Sequence, residues 1–106
     1  MVIGEVEDFI VPVLDVIESL GGKAETGQIE ESFYRKYGAA LDPSKDWQEI
    51  KRNHRRQVWK DYCTTRVAYY FLRPDGLITT ERGGMNGPVY TITPKGKTAL
   101  HASRNV

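Results

Sequence analysis

The stretch that most constrains this chain runs from Lys51 to Ile78, KRNHRRQVWKDYCTTRVAYYFLRPDGLI, where a basic cluster leads into an apolar segment and then a turn. Val67 to Leu72, VAYYFL, is apolar in every direction around a helix, which predicts a helix buried on more than one side. Pro74 and Gly76 end it, because proline cannot donate the next helical hydrogen bond and glycine accepts the left-handed C-terminal conformation. Ahead of it Lys51, Arg52, Arg55, Arg56 and Lys60 set five cations in ten residues, with His54, Trp59 and Tyr62 among them. Such a surface is suited to an anion.

At 106 residues the chain is expected to form one domain over 1–106. The hydrophobic share of 40% and charged share of 27% exclude a disordered chain. No apolar run approaches the roughly 20 residues that span a bilayer, and the start, MVIGEVEDF, is acidic where a secretory signal is basic. A cytoplasmic protein with no membrane partner is expected. The lone Cys63 can form neither an internal disulfide nor a cysteine cluster and reads as a small core residue. The net charge of +1 conceals two halves of opposite sign, −7 for residues 1–50 and +8 for residues 51–106. That asymmetry points to one face for a polyanion, the alternative being a solvated basic surface.

Phe9, Ile10, Val13, Leu14, Ile17 and Leu20 recur at helical steps, so a first helix is expected with Pro12 in its first turn and Gly21-Gly22 at its end. Lys23-Ala24-Glu25 reads as a short extended piece at a sheet edge. Thr26 is placed to cap a second helix running to about Tyr37 and stopped by Gly38, with Ile29, Phe33 and Tyr37 inward and Glu30, Glu31, Arg35 and Lys36 outward. Asp46 and Glu49 have capping-box spacing and predict a third helix from there. Trp47, Ile50, His54 and Val58 keep one helical phase, whereas Trp59, Cys63, Val67 and Tyr70 follow another, so a bend or break is expected between Asn53 and Tyr62. After Gly76, Leu77 to Thr80 and Val89 to Thr93 form a hairpin whose connection, ERGGMNGP, tolerates positive φ. Pro94 to Ala102 close the chain with a short turn or helix, and Ser103 to Val106 are expected to fray.

This order is that of a winged helix-turn-helix, an α+β fold of three or four helices with a small antiparallel β-hairpin wing. TTRVAYYFLRPDGLI resembles the end of a winged-helix recognition helix with its following turn, and GPVYTITPKGKTAL resembles the second wing strand with a Thr-x-x-Gly closure. With LDVIESLGG at the front, the chain is similar over roughly residues 8–100 to the N-terminal winged-helix domain of Mrr-type restriction proteins. It departs from them where the family usually carries tryptophan and Val67 stands here. The resemblance implies a DNA-binding module, joined in that family to a nuclease domain that cleaves methylated DNA, so a nuclease partner is implied for this chain.

The residues themselves offer two contact sets. If a helix begins near Asn53, its free N–H groups with Arg55 and Arg56 form a phosphate cradle, to which Lys51, Arg52 and Lys60 add charge. If the helix instead runs on from Asp46, these cations lie in mid-helix and pair with acids of the first half. Thr64, Thr65 and Arg66 stand where a recognition helix enters the major groove, and Arg82 and Asn86 are candidate wing contacts. The competing interpretation is that the threonines pack and the wing is only a turn. Trp59, Tyr62, Tyr69 and Tyr70 read first as core or core margin. Trp59, beside arginines, could also stack on a base, and the family implies a methylated one.

Asp46, Glu49 and Lys51 have the residue types of a metal-dependent nuclease but fall on one predicted helix beside a cap. His54 and His101 lack metal-ligand spacing, and no nucleophile triad or phosphate loop is visible. No catalytic site and no cofactor are expected. The reading is a double-stranded DNA-binding module that is not an enzyme. Its rivals are a transcriptional regulator forming a homodimer through the first helix or the C-terminal end, and a winged helix that docks an acidic protein partner.

Overall fold

A 3-10 turn, Val6–Phe9, leads into α1, Ile10–Ser19, with Pro12 in the first turn, where backbone N–H groups have no intrahelical partner to lose. The computed structural model describes residues 1–51, 55–83 and 87–104, with the backbone alone for Lys51. Gly21 and Gly22, at φ of 96° and 89°, turn the chain into β1, Lys23–Glu25. The helix α2, Thr26–Tyr37, starts directly from that strand. The cap is Glu25, whose N–H donates to Gln28 Oε1 at 2.9 Å, and not Thr26 as expected. Strand pairing holds Glu25 extended, so Thr26 is already the first helical residue, and its hydroxyl donates to the Pro88 carbonyl at 3.4 Å. Gly38 ends α2 but stays right-handed and carries the chain into a 3-10 turn, Gly38–Ala40.

The third helix does not begin at Asp46. From Leu41 to Glu49 the chain is irregular, and β2, Ile50–Lys51, pairs antiparallel with β3, Arg56–Gln57, in register Ile50↔Gln57 and Lys51↔Arg56. Two causes are visible. The Trp47 indole donates to the Asp42 carbonyl at 2.9 Å and packs 5.7 Å from Phe9 and 5.4 Å from Tyr62, which anchors the loop. A helix here would also set Lys51 beside Arg55 and Arg52 beside Arg56 at i,i+4, where like charges repel.

The helix α3 opens as one α-turn, Val58–Lys60, and continues over Asp61–Leu72 with a wider i→i+5 winding. The bond at its end shows that spacing, Arg73 N–H donating to the Ala68 carbonyl at 3.0 Å, while Leu77 N–H to the Leu72 carbonyl at 3.0 Å and Gly76 N–H to the Arg73 carbonyl at 3.1 Å close the C-terminal turn at Gly76. Cys63 and Leu72 are both fully buried although nine positions apart, two and a half turns of an α-helix. The wider winding takes roughly one residue more per turn and brings Cys63, Val67, Ala68 and Leu72 to one side. The expected bend or break between Asn53 and Tyr62 is replaced by a helix start at Val58, because the segment ahead of it is strand and loop and not helix. The expectation of burial on more than one side is corrected, since Val67, Ala68 and Leu72 share one buried side and Tyr70 and Phe71 are 66% and 41% exposed.

Gly76, at φ 77°, leads into β4, Ile78–Glu81, and the connection returns through Gly87 to β5, Val89–Ile92. The sheet order is β1-β5-β4, antiparallel throughout, with Ala24↔Tyr90 and Ile78↔Ile92 among the pairs. Alternation along β5 sends Tyr90 and Ile92 inward. The closing helix α4, Pro94–Arg104, is capped by Thr93, whose Oγ1 accepts the Gly96 N–H at 3.0 Å and donates to the Gly76 carbonyl at 2.6 Å. Ser103 and Arg104, expected to fray, belong to α4; Asn105 and Val106 lie outside the described residues.

At the centre α1 packs against α2, α3, α4 and β5. Phe9 and Phe33 stack at 5.2 Å, Phe33 and Trp59 at 6.2 Å, and Cys63, Val67, Ile78 and Leu100 complete the interior. Burial of each phenylalanine contributes about 1.5–3 kcal/mol, and the ring pairs about 1 kcal/mol more.

Candidate functional site

The basic cluster occupies the end of the β2–β3 hairpin, immediately ahead of α3. Arg52, Asn53 and His54 lie outside the described residues, as does Asn86 in the wing connection, and Lys51 is placed by its backbone in β2. Arg55 is exposed at φ 50°, left-handed backbone that bulky residues seldom adopt and that marks the tight return into β3. The proposed phosphate cradle at a helix start near Asn53 is not formed, because α3 begins only at Val58.

Arg56 turns inward. It pairs with Oε2 of Glu30, a residue 6% exposed on α2, and its Nη2 lies 3.2 Å from Thr64 Oγ1. Thr64, 1% exposed, sets that hydroxyl 2.9 Å from Glu30 Oε2 and 3.0 Å from the Lys60 carbonyl. Neither Arg56 nor Thr64 is therefore a free reading group, and Glu30 is not on the outer face. The alternative that a basic-cluster residue pairs with an acid of the first half holds for Arg56. Trp59 is likewise a core residue at 5% exposure, stacked on Phe33 and 4.8 Å from Tyr34, which removes it as a platform for a base. Lys60 is half-buried, its ammonium 5.7 Å from the Trp59 ring.

Thr65 is half-buried and Arg66 exposed on the outer side of α3. Arg66 lies 3.2 Å from Asp61 and 4.8 Å from the Tyr62 ring, an exposed arrangement that a phosphate or base can compete for. Arg82 is exposed just beyond β4. Tyr69 and Tyr70, which read in the sequence as core or core margin, stand beside these with Arg73, and Tyr70 is 66% exposed. Tyr69 and Tyr70 meet edge to face at 5.1 Å, and the Arg73 guanidinium lies 4.3 Å from the Tyr69 ring. The available signal was the spacing Arg66, Tyr69, Tyr70, Arg73, cations bracketing aromatics.

These elements meet around one open cleft of about 510 Å³, between the start of α2, the outer side of α3 and the base of the wing. Tyr69 and Tyr70 form one wall, Thr26 and Pro88 the other, and Glu30 with Arg56 the floor. Thr26 N–H donates to the Pro88 carbonyl at 3.2 Å, which pins the wing base to α2. A Cβ on Gly87 would stand 2.9 Å from Thr26 Oγ1, so this close approach needs glycine, as does its φ of 92°.

Cys63 is inert to this site, since burial, with the nearby Glu30 charge, pushes its thiol well above the usual range. Among the described residues no group of three or more His, Cys, Asp or Glu side chains has metal-binding geometry, and no helix is long and apolar enough to cross a membrane.

No protein-family model matches the chain, and a search of curated proteins finds no match. Among solved structures it is similar to F93 from STIV, a winged-helix DNA-binding protein, with a TM-score of 0.59 and 13% identity over 90% of this chain and 82% of that one. The fold is a winged helix. In its terms α3 is the helix in the recognition position and β4–β5 is the wing. The 38–57 connection between α2 and α3, with its basic hairpin, replaces the few-residue turn usual in a helix-turn-helix.

Proposed function

We propose that this chain is a double-stranded DNA-binding module without catalytic activity, acting in the cytoplasm. What supports it is that three basic elements each border the same cleft through other residues: the hairpin, which carries exposed Arg55, borders it at Arg56; α3, which carries exposed Arg66 and leads into exposed Arg73, at Thr65, Tyr69 and Tyr70; and the wing, which carries exposed Arg82, at Gly87 and Pro88. The structural neighbour's description as a DNA-binding protein of the same fold agrees with this reading. In it α3 enters the major groove with Thr65 and Arg66 toward base edges, while Lys51, Arg52, Asn53 and Arg55 of the hairpin and Arg82 and Asn86 of the wing hold phosphates.

The test is a salt titration of binding to random duplex DNA. Affinity should fall steeply with salt, Arg55→Ala should weaken all sequences alike and lower the slope by about one, and Arg66→Ala should alter sequence preference. Absence of binding at low salt would overturn the proposal in favour of a module that docks an acidic protein.

The finer reading is the DNA-reading part of a restriction-like system with a nuclease partner. It rests on TTRVAYYFLRPDGLI and GPVYTITPKGKTAL, which occupy the α3–β4 and β5–α4 segments. Adenine- or cytosine-methylated pools competing against the unmodified pool test it, a methylated pool winning being the expected result. A sedimentation mass of two chains with no methyl preference would favour the dimeric regulator.

A further inference from the structure

The cleft beside α3 has a composition unlike that of a phosphate site. Its floor carries the Glu30–Arg56 ion pair, which is net neutral and so offers an anion no free positive charge. Glu30 takes its bonds from both Arg56 and Thr64 on Oε2, so Oε1 accepts none from the described residues. The wall is aromatic. Tyr70 is 66% exposed and turned edge to face against Tyr69, and the Arg73 guanidinium lies 4.3 Å from the Tyr69 ring, its Nε also donating to the Tyr69 carbonyl at 3.1 Å. A neutral polar floor, a Glu30 oxygen that accepts no bond from the described residues, stacking tyrosines and a volume of about 510 Å³ match a flat heteroaromatic ring that donates hydrogen bonds.

On the reading of this chain as a DNA-binding module, we propose that the cleft receives an unpaired nucleobase carrying an exocyclic amine, adenine, cytosine or guanine, presented by the bound DNA. The base stacks on Tyr70, its amine donates to Glu30 Oε1, and the phosphates on either side lie toward Arg66 and Arg82. Thymine has no amine to give. The module is thereby directed to duplexes with a bulged or extruded base, because leaving a base unpaired removes the unstacking cost that entry requires.

The experiment compares duplexes of one sequence that are fully paired, carry a one-nucleotide bulge of A, C, G or T, or carry an abasic bulge that bends the helix without offering a base. Stacking contributes enough that A, C and G bulges should bind roughly tenfold or more tighter than the abasic bulge, with T below them. Tyr70→Ala, at an exposed position that leaves the interior intact, should bring the ratio of bulged to abasic affinity close to one, and Tyr70→Phe should keep it. Equal affinity for base-bearing and abasic bulges, with paired DNA still bound, overturns the base pocket alone. Failure to bind any of the duplexes at low salt overturns the DNA reading and the pocket with it.

Discussion

Glu30 shows how one buried carboxylate changes the reading of a basic cluster. It removes Arg56 from the surface and with Thr64 joins α2, β3 and α3. Glu30→Ala leaves the Arg56 charge without its partner. The expected loss is roughly 2–3 kcal/mol, below the figure for a fully buried pair because the Arg56 side chain is 33% exposed. Arg55→Ala, at an exposed neighbour, should change stability by less than about 0.5 kcal/mol, and urea unfolding of the two variants distinguishes the roles. A second carboxylate, Asp15, lies buried under α2 and α4. Burial alone would push it up, but hydrogen bonds from Lys36 and Tyr37, the Lys36 charge and Arg104 outweigh that and hold it below the usual 3.8. A folded value below the unfolded one gives stability that is complete above pH 3.8 and disappears as pH falls through the lower folded value. Asp15→Asn should therefore be less stable at neutral pH, with the two stabilities converging in acid when urea midpoints are followed against pH.

At the level of the element, α3 carries the main consequence. In α-winding Cys63, Val67 and Tyr70 share a face and Leu72 opposes them, which is the phase the sequence suggests. In the wider winding Leu72 joins the buried face and Tyr70 turns to solvent. Leu72→Ala is thus expected to cost about 3 kcal/mol, and Phe71→Ala less than about 1 kcal/mol; the reverse order in denaturant unfolding would contradict the winding. The same geometry releases the Tyr69–Tyr70 pair to the cleft. A wider turn is less favourable for the backbone, and where such windings occur they often mark function. The α4 start makes a complementary case. A Cβ on Gly96 would stand 2.1 Å from the Leu77 carbonyl oxygen, so Gly96→Ala should displace α4 from the β4 edge and lower the melting temperature, although alanine is the better helix former.

Across the whole molecule the opposite charges of the two halves are partly joined. Arg56 meets Glu30, Arg104 meets Asp15 and Glu18, and Lys23 meets Glu81 at 2.9 Å. Arg55, Arg66, Arg73 and Arg82 remain exposed, in the hairpin, α3, the turn after it and the wing. Because α1 touches every other helix as well as β5, residues 1–106 are expected to unfold as one unit. Emission from Trp47 and Trp59, which lie in the anchored loop and at the α3 start, should then change with the same urea midpoint as far-ultraviolet circular dichroism. Separate midpoints would show the 38–57 connection opening on its own.

Local rules in the sequence determined α1, the Gly21-Gly22 turn, the edge strand β1, the extent of α2, the β4–β5 wing and α4, because each rests on periodicity, glycine or proline within a few residues. The phase shift between Val58 and Trp59 reads as a break within a helix, whereas the segment ahead of Val58 is not helical and Tyr70 faces solvent. Only the tertiary structure decided that 46–57 forms a loop and hairpin, since the Trp47 indole finds its partners in Phe9, Asp42 and Tyr62, remote from the segment or outside its helical spacing. It alone placed Glu30 inside, where Arg56 and Thr64 arrive from 26 and 34 residues away to satisfy it. The candidate site was legible as charge, which composition carries, but its aromatic wall was not. Which side of α3 faces solvent depends on a winding that is set by packing against α1 and the sheet.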